Sequence, residues 1–209
     1  MLRILIADDH AIIRKGLKQI LLEEFQSAVI EDVVDAEALI SKINANEFDI
    51  VICDLSMPGR SGLDVIHYIH QNFPRLPVLI LSIHPEEHYA IRVLKAGASG
   101  YLSKDVAAEE LVNAVHRIIK GRKFISPGIA EKMLSGLERD SGRPLHEMLS
   151  DREFDVLKLI AAGKSISEIA AQLSLSLTTV STYRARVLLK MDMKTNAELT
   201  RYSIEQKLI

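Results

Sequence analysis

The chain has 209 residues, 48% apolar and 26% charged, with a formal net charge of −2. That length permits one or two domains, and no run approaches the roughly 20 apolar residues of a membrane-spanning helix. The opening MLRILIA is shorter than the charged and apolar regions of a secretion signal, and the single cysteine, Cys53, excludes an internal disulfide, so a cytoplasmic location is expected.

Residues 1–122 alternate between two periods. Short β-branched runs, RILIA (3–7), AVIEDVV (28–34), DIVICD (49–54), PVLILS (77–82) and GYLS (100–103), are expected strands. Between and after them, residues 12–24, 36–45, 62–72, 86–96 and 107–120 carry apolar side chains at three- and four-residue steps, as core-facing helices do. Five such alternations predict an α/β domain, a doubly wound five-stranded parallel sheet with helices on both faces. The near-continuous apolarity of the first, third and fourth strands fits burial on both sides.

Beyond Gly121 the pattern changes. SPGIAEKMLSGL (126–137) reads as one short helix and ERDSGRPLHE (138–147) as a polar connection, so residues 123–148 form a linker. Residues 149–209 read as a second, smaller all-α domain. SDRE and TNAE offer capping boxes through Ser150 with Glu153 and Thr195 with Glu198. Charge divides the same way: residues 1–122 hold 13 Lys/Arg against 17 Asp/Glu, and residues 149–209 hold 9 against 7. A mildly basic tail is shared by nucleic-acid binders and by ordinary solvated helices.

In open parallel sheets ligands gather at the carboxyl ends of the strands. There the sequence places Asp8 and Asp9, Asp54, Ser82 and Lys104. Singly, each has an ordinary role as a turn, cap or surface residue; jointly they form a site. Three carboxylates make a hard oxygen site suited to Mg²⁺. Lys104 adds a second cation, and the two would neutralise charge on a transferring phosphoryl group. Asp54, driven to the tip of a buried strand, is therefore read as a phosphoryl acceptor, with Pro58, Gly59 and Gly62 shaping the loop after it. Cys53 points the other way along the strand, as a core residue.

In their order, ADDH, DIVICDLSMPGRSG, LILS and KAGASGYLSKD resemble the receiver domain of two-component response regulators, over about residues 1–122. The resemblance implies phosphoryl transfer from a histidine kinase to Asp54, with Mg²⁺ held by Asp9, Asp54 and the Ser56 carbonyl, and by Asp8 through water. It further implies that Lys104 pairs with the phosphate, that Ser82 moves to donate to it, and that Tyr101 swings inward to reshape the face of the fourth helix, fifth strand and fifth helix. Kinase choice is expected on the first helix, around Ile12 to Lys18. Two features depart from the family pattern or bear on it: Asp105 stands where many relatives have proline, and His84 would lie near the phosphate's water access.

Between Ser165 and Met191 the order is helix, tight turn, helix. Ile169, Ala170 and Leu173 make the inner stripe of the first, and Leu177, Val180, Val187, Leu188 and Met191 that of the second. Thr178, Ser181, Thr182, Ala185, Arg184 and Arg186 are left outward. Small polar residues followed by arginines suit a helix whose first turns meet base edges and whose cations meet phosphates; a protein-binding bundle has the same spacing. LSDREFDVLKLIAAGKSISEIAAQLSLSLTTVSTYRARVLLKM closely resembles the LuxR-type DNA-binding domain of the NarL/FixJ class, over about residues 149–209. Thr179, Val180 and Lys190 fall on its pattern, whereas Ser181 and Tyr183 replace its common lysine and histidine. Thr178, Thr179, Ser181, Thr182, Tyr183, Arg184, Ala185, Arg186 and Lys190 are the expected contacts to double-stranded DNA. The last helix, about 196–206, implies a homodimer on a two-fold site.

The whole chain is thus expected to be a phosphorylation-dependent transcription regulator, not an enzyme, in which phosphate shifts dimerisation or interdomain contacts and so operator binding. Two other functions share parts of this pattern. A Mg²⁺-dependent phosphohydrolase would place an acid two residues after its nucleophile, where Ser56 stands. A constitutive DNA binder would not need the complete set of pocket charges.

Overall fold

The computed structural model describes residues 1–57, 60, 62–83, 86–131 and 144–209. His84, Pro58 and Gly59, residues 132–137 of the expected short helix and 138–143 of the expected linker lie outside them. The chain divides into two compact units, Met1–Leu134 and Ser135–Ile209.

In the first unit, five parallel strands stand in the order β2-β1-β3-β4-β5. They are β1 (Arg3–Ala7), β2 (Val29–Val33), β3 (Ile50–Asp54), β4 (Val78–Ser82) and β5 (Gly100–Ser103). The helices that follow them are α1 (Ala11–Glu24), α2 (Ala36–Ala45), α3 (Gly62–Asn72), α4 (Glu86–Lys95) and α5 (Ala107–Ile119). All ten elements were expected from the hydrophobic periods. β3 and β4 are buried at every residue. Ile4, Ile6, Ile50, Ile52, Leu79 and Leu81 pack in one cluster with Leu17 and Leu21 of α1 and with Leu111, Val115 and Ile118 of α5. The alternate residues Leu5, Val51, Cys53 and Ile80 project to the other face and are fully buried too. Each such side chain contributes about 1.5–3 kcal/mol relative to exposure, which holds the sheet in one register.

That register positions the functional edge. Ala7 lies opposite Cys53, and Asp54 opposite Leu81. The chain therefore leaves β1 through Asp8 beside the end of β3, with Ser82 one residue beyond. A three-residue 3₁₀ turn, Lys104–Val106, follows β5; Ser103 caps it by accepting from the Asp105 N–H, and no peptide bond among the described residues is cis. Past the expected domain end at residue 122, Phe124 forms a parallel bridge to Gly100 on the outer edge of β5. Its N–H donates to Ser99 O at 2.9 Å, its carbonyl accepts from the Tyr101 N–H, and the Arg117 guanidinium lies 5.6 Å from its ring centre. A helix begins at residues 127–131.

The described residues of the second unit form a 3₁₀ turn (Leu145–Met148) and the helices α6 (Asp151–Ala161), α7 (Ile166–Gln172), α8 (Leu177–Lys190) and α9 (Asn196–Glu205). Both expected capping boxes form, at Ser150 and Thr195, and a third forms at Ser165 with Glu168. Each satisfies N–H groups that a helix start leaves without partners. Phe154, Leu157, Ile169, Val180, Val187, Met191 and Leu199 make the buried centre. His146 ties the 3₁₀ turn to α9 through the Tyr202 hydroxyl at 2.9 Å. Ser174, with φ of 54°, makes the left-handed turn between α7 and α8. Leu177, expected on the inner stripe, is instead 55% exposed, and Leu188 is only half-buried. Ser176 and Thr178 beside Leu177 are exposed as well, so among the described residues the first turn of α8 lies open to solvent.

Candidate functional site

At the carboxyl edge of the sheet, Asp8 and Asp54 are buried, at 1% and 2% exposure. Lys104, brought over from the end of β5, places Nζ 2.7 Å from Asp8 Oδ2 and 3.0 Å from Asp54 Oδ2. Burial pushes the Asp54 carboxyl above the ordinary aspartate range, against the opposing pull of Lys104. For Lys104 burial works downward, but pairing with Asp8 and the charge of Asp54 outweigh it and hold the ammonium above its usual range. The Ser56 N–H donates to Asp54 Oδ1 at 3.3 Å. The loop after Asp54 is fastened at both ends, by Leu55 N–H to Leu81 O and Gly62 N–H to Leu55 O. Gly62 is required there, because a Cβ would lie 2.6 Å from Asp54 O.

Asp9 is more open, and His10 joins the group. His10 Nδ1 lies 2.7 Å from Asp9 Oδ1 and 3.2 Å from Asp8 Oδ1. One ligand atom from each of Asp8, Asp9, His10 and Asp54 lies within 4.8 Å of the others. The donor set is mainly carboxylate oxygen, as a hard divalent cation prefers. Lys104, which already pairs with Asp8 Oδ2 at 2.7 Å, offsets only part of the charge of three neighbouring carboxylates, and a divalent cation is what would offset the rest. The residues present therefore fit a metal ion. His10 was missed in the sequence, although it directly follows the acidic pair in ADDH; a histidine at a helix start carries no periodic signal.

The other expected pocket residues fall close by. Ser82 ends β4 fully buried, and Tyr101 of β5 is 1% exposed. Cys53 Sγ donates to Asp54 O at 3.2 Å, and burial pushes its thiol far above the usual cysteine range. It is a core residue, as expected. Arg14 of α1 donates to the Asp8 carbonyl at 2.7 Å and to Asp32 at 2.8 Å, and Lys18 also pairs with Asp32. Two of the charges on the expected kinase-facing stretch are thus engaged, while Ile12 is 84% exposed.

In the second unit, α8 presents Thr178, Ser181, Thr182, Ala185 and Arg186 to solvent. Thr179 is half-buried, its backbone N–H capped by Ser176 at 3.1 Å. Tyr183 is half-buried as well. Two of the expected DNA contacts are occupied within the unit. Arg184 Nε donates to Asn196 Oδ1 at 2.7 Å, and Lys190 Nζ to Glu153 Oε2 at 2.6 Å. Glu153 is 2% exposed. Burial works to raise its carboxyl, but hydrogen bonds from Lys190 and Ser150 hold it below the ordinary glutamate range. Lys190, though exposed, thus neutralises a buried carboxylate inside the unit, a role additional to the expected DNA contact, and removing it would strand that charge.

Comparison with known proteins follows the same division. Residues 4–116 match the response regulator receiver domain family, and residues 147–203 match the bacterial regulatory proteins of the luxR family. The response regulator UvrY of Escherichia coli is 34% identical over 209 residues, covering 100% of this chain and 96% of its own. The oxygen regulatory protein NreC of Staphylococcus carnosus is 33% identical over 215 residues, covering 100% and 99%. Among solved structures, RcsB of Salmonella enterica serovar Typhimurium, bound to promoter rprA with the phosphomimetic BeF3−, aligns over 97% of this chain and 98% of its own, with a TM-score of 0.66 and 29% identity.

Proposed function

We propose that this chain, which belongs to the response regulators that join a receiver domain to a LuxR-type DNA-binding domain, is a cytoplasmic transcription regulator switched by a phosphoryl group on Asp54. The observation that carries the reading is a buried aspartate at a strand end, with two further carboxylates beside it and Lys104 Nζ 3.0 Å away.

The chemistry follows from that arrangement. A kinase phosphohistidine presents its phosphorus to an Asp54 carboxylate oxygen. The new O–P bond forms as the P–N bond breaks, and the imidazole leaves with the bond's electron pair. Lys104 then pairs with the phosphoryl oxygens instead of the bare carboxylate. Asp8, Asp9, Asp54 and the Ser56 carbonyl would hold Mg²⁺, which when bound neutralises charge on the transferring group. Ser82 would donate its hydroxyl to a phosphoryl oxygen, and Tyr101 would pack behind it. These contacts exist only with phosphate present, so they bias the chain toward the state that makes them.

The expected output is a homodimer on double-stranded DNA. Thr178, Ser181, Thr182 and Ala185 of α8 meet base edges and Arg186 meets phosphate, in keeping with the promoter-bound RcsB neighbour. The test uses wild type and Asp54→Asn with Mg²⁺ and acetyl phosphate, followed by intact mass and light scattering. Wild type should gain one phosphoryl group and associate, and Asp54→Asn should do neither. Equal incorporation in both, or none in wild type, would count against the assignment.

A further inference from the structure

At the edge of the sheet opposite Asp54, where β3, β4 and β5 start, Asp49, Val78 and Ser99 border a cavity of about 350 Å³. That volume falls in the range of small-molecule sites, about 300–1,000 Å³. Ile66, Ile69 and Ile118, each at most 2% exposed, and the half-buried Phe73 give it an apolar wall. Arg75, Arg122 and Lys123 stand exposed around its mouth. Elsewhere in this unit Arg3, Arg14 and Arg60 pair with Glu31, Asp32 and Glu37, and Arg117 lies over the Phe124 ring. Arg75 and Arg122 form no ion pair with any described residue, although residues 1–122 hold 17 acids against 13 bases. Lys123 reaches only the Ala98 carbonyl, at 3.4 Å.

Cations often serve the carboxyl ends of helices, and α3 and α5 both end here. Backbone groups already close those ends: Phe73 N–H donates to Ile69 O at 2.7 Å, Gly121 N–H to Ile118 O at 2.9 Å and Arg122 N–H to Arg117 O at 3.0 Å. The two dipoles amount to about half a negative charge each. Asp49 adds one more, its Oδ2 accepting from the Arg3 N–H at 2.7 Å. Three full positive charges exceed that sum by about one. We propose that this cavity binds a small organic anion, with its carboxylate or phosphoryl head held by Arg75 and Arg122 and its apolar body laid against Ile66, Ile69 and Phe73. A guanidinium presents paired N–H donors that match either oxyanion. The site is separate from the phosphoryl pocket and stands whether or not Asp54 accepts phosphate.

Full-length, isotope-labelled protein is titrated with phenylacetate, phenyl phosphate and the neutral phenylacetamide while amide shifts are followed by nuclear magnetic resonance. At least one acid should move the amides of Ile69, Phe73, Ile118 and Arg122 saturably, and the tighter of the two identifies the head. Phenylacetamide should bind roughly tenfold more weakly or worse, having lost the charge-assisted bonds. The double variant Arg75→Gln, Arg122→Gln removes two exposed side chains without breaking an ion pair, so its spectrum away from the cavity should match wild type. Its affinity for the acid should fall by roughly tenfold or more. Lysine at both positions should restore only part of that loss, because an ammonium lacks the paired donors. Lys120→Gln, a neighbouring base outside the cavity lining, should bind as wild type does. Absence of saturable shifts at these amides with either acid, equal binding of phenylacetamide, or undiminished affinity in the double glutamine variant would overturn the proposal.

Discussion

Replacing Lys104 with Met tests the electrostatics of the pocket without touching an acid. Oxygens of Asp8 and Asp54 lie within 4.8 Å of each other; at that separation and an effective dielectric of ~20, two unit charges repel by about 3.5 kcal/mol. Lys104, within 3.0 Å of both, offsets this repulsion. Losing it should cost the first unit about 3 kcal/mol near neutral pH without divalent ions, the lower end of what breaking a buried pair costs. The sign with pH is fixed by Asp54, whose carboxyl is raised in the folded state. Stability from such a group is complete below its unfolded value and is lost as pH rises through the folded one. Lys104→Met should steepen that loss and Lys104→Arg should not. Amide exchange of β1 and β3 in the full chain is the assay. About 3 kcal/mol corresponds to exchange roughly 10²-fold faster at pH 7, largely recovered at acid pH. Exchange in Lys104→Met that matches wild type, or that does not recover on acidification, would refute the reasoning.

Further expectations concern the glycines and the second unit. Gly62→Ala would set a Cβ 2.6 Å from Asp54 O and 2.8 Å from Leu55 Cα, both unyielding backbone. It should cost about 2 kcal/mol or more and slow uptake of phosphate from acetyl phosphate, read by intact mass. Gly100→Ala meets Phe124 O at 2.9 Å, and should speed amide exchange at Tyr101 and Phe124 while leaving β1 unchanged. On DNA, Arg186→Ala should reduce the slope of log affinity against log salt by about 1; Lys190→Met should destabilise the helical unit by about 1 kcal/mol, discounted because the lysine is partly exposed. That destabilisation should fade on acidification, since Glu153 has a lowered folded value and stabilises only above the ordinary glutamate range.

The first unit was readable because its information is periodic. Runs such as DIVICD and PVLILS are apolar without alternation, which only a doubly covered strand explains, and a parallel sheet then gathers Asp8, Asp54, Ser82 and Lys104 at one edge. What escaped the reading depends on partners distant in sequence. Lys190 follows the pattern of a recognition helix, yet its ammonium is held by Glu153, 37 residues earlier. Leu177 sits on the apolar stripe by spacing, but a stripe does not say where the core ends. His10 meets the two aspartates through a local backbone bend, and such a bend leaves no mark in hydrophobicity.

The bridge at Phe124 bears on how this protein can be divided. β5 stands at the rim of the sheet, and a rim strand with bare amides and carbonyls invites a neighbour's backbone to complete it. Phe124 occupies part of that rim, from beyond the point where hydrophobic periodicity ends the domain. A fragment cut after Arg122 would keep every strand and every pocket residue, yet expose a row of pairing groups. Self-association of such a fragment would then report the cut rather than the phosphate, so fragments meant to measure dimerisation need to retain the residues that shield the rim.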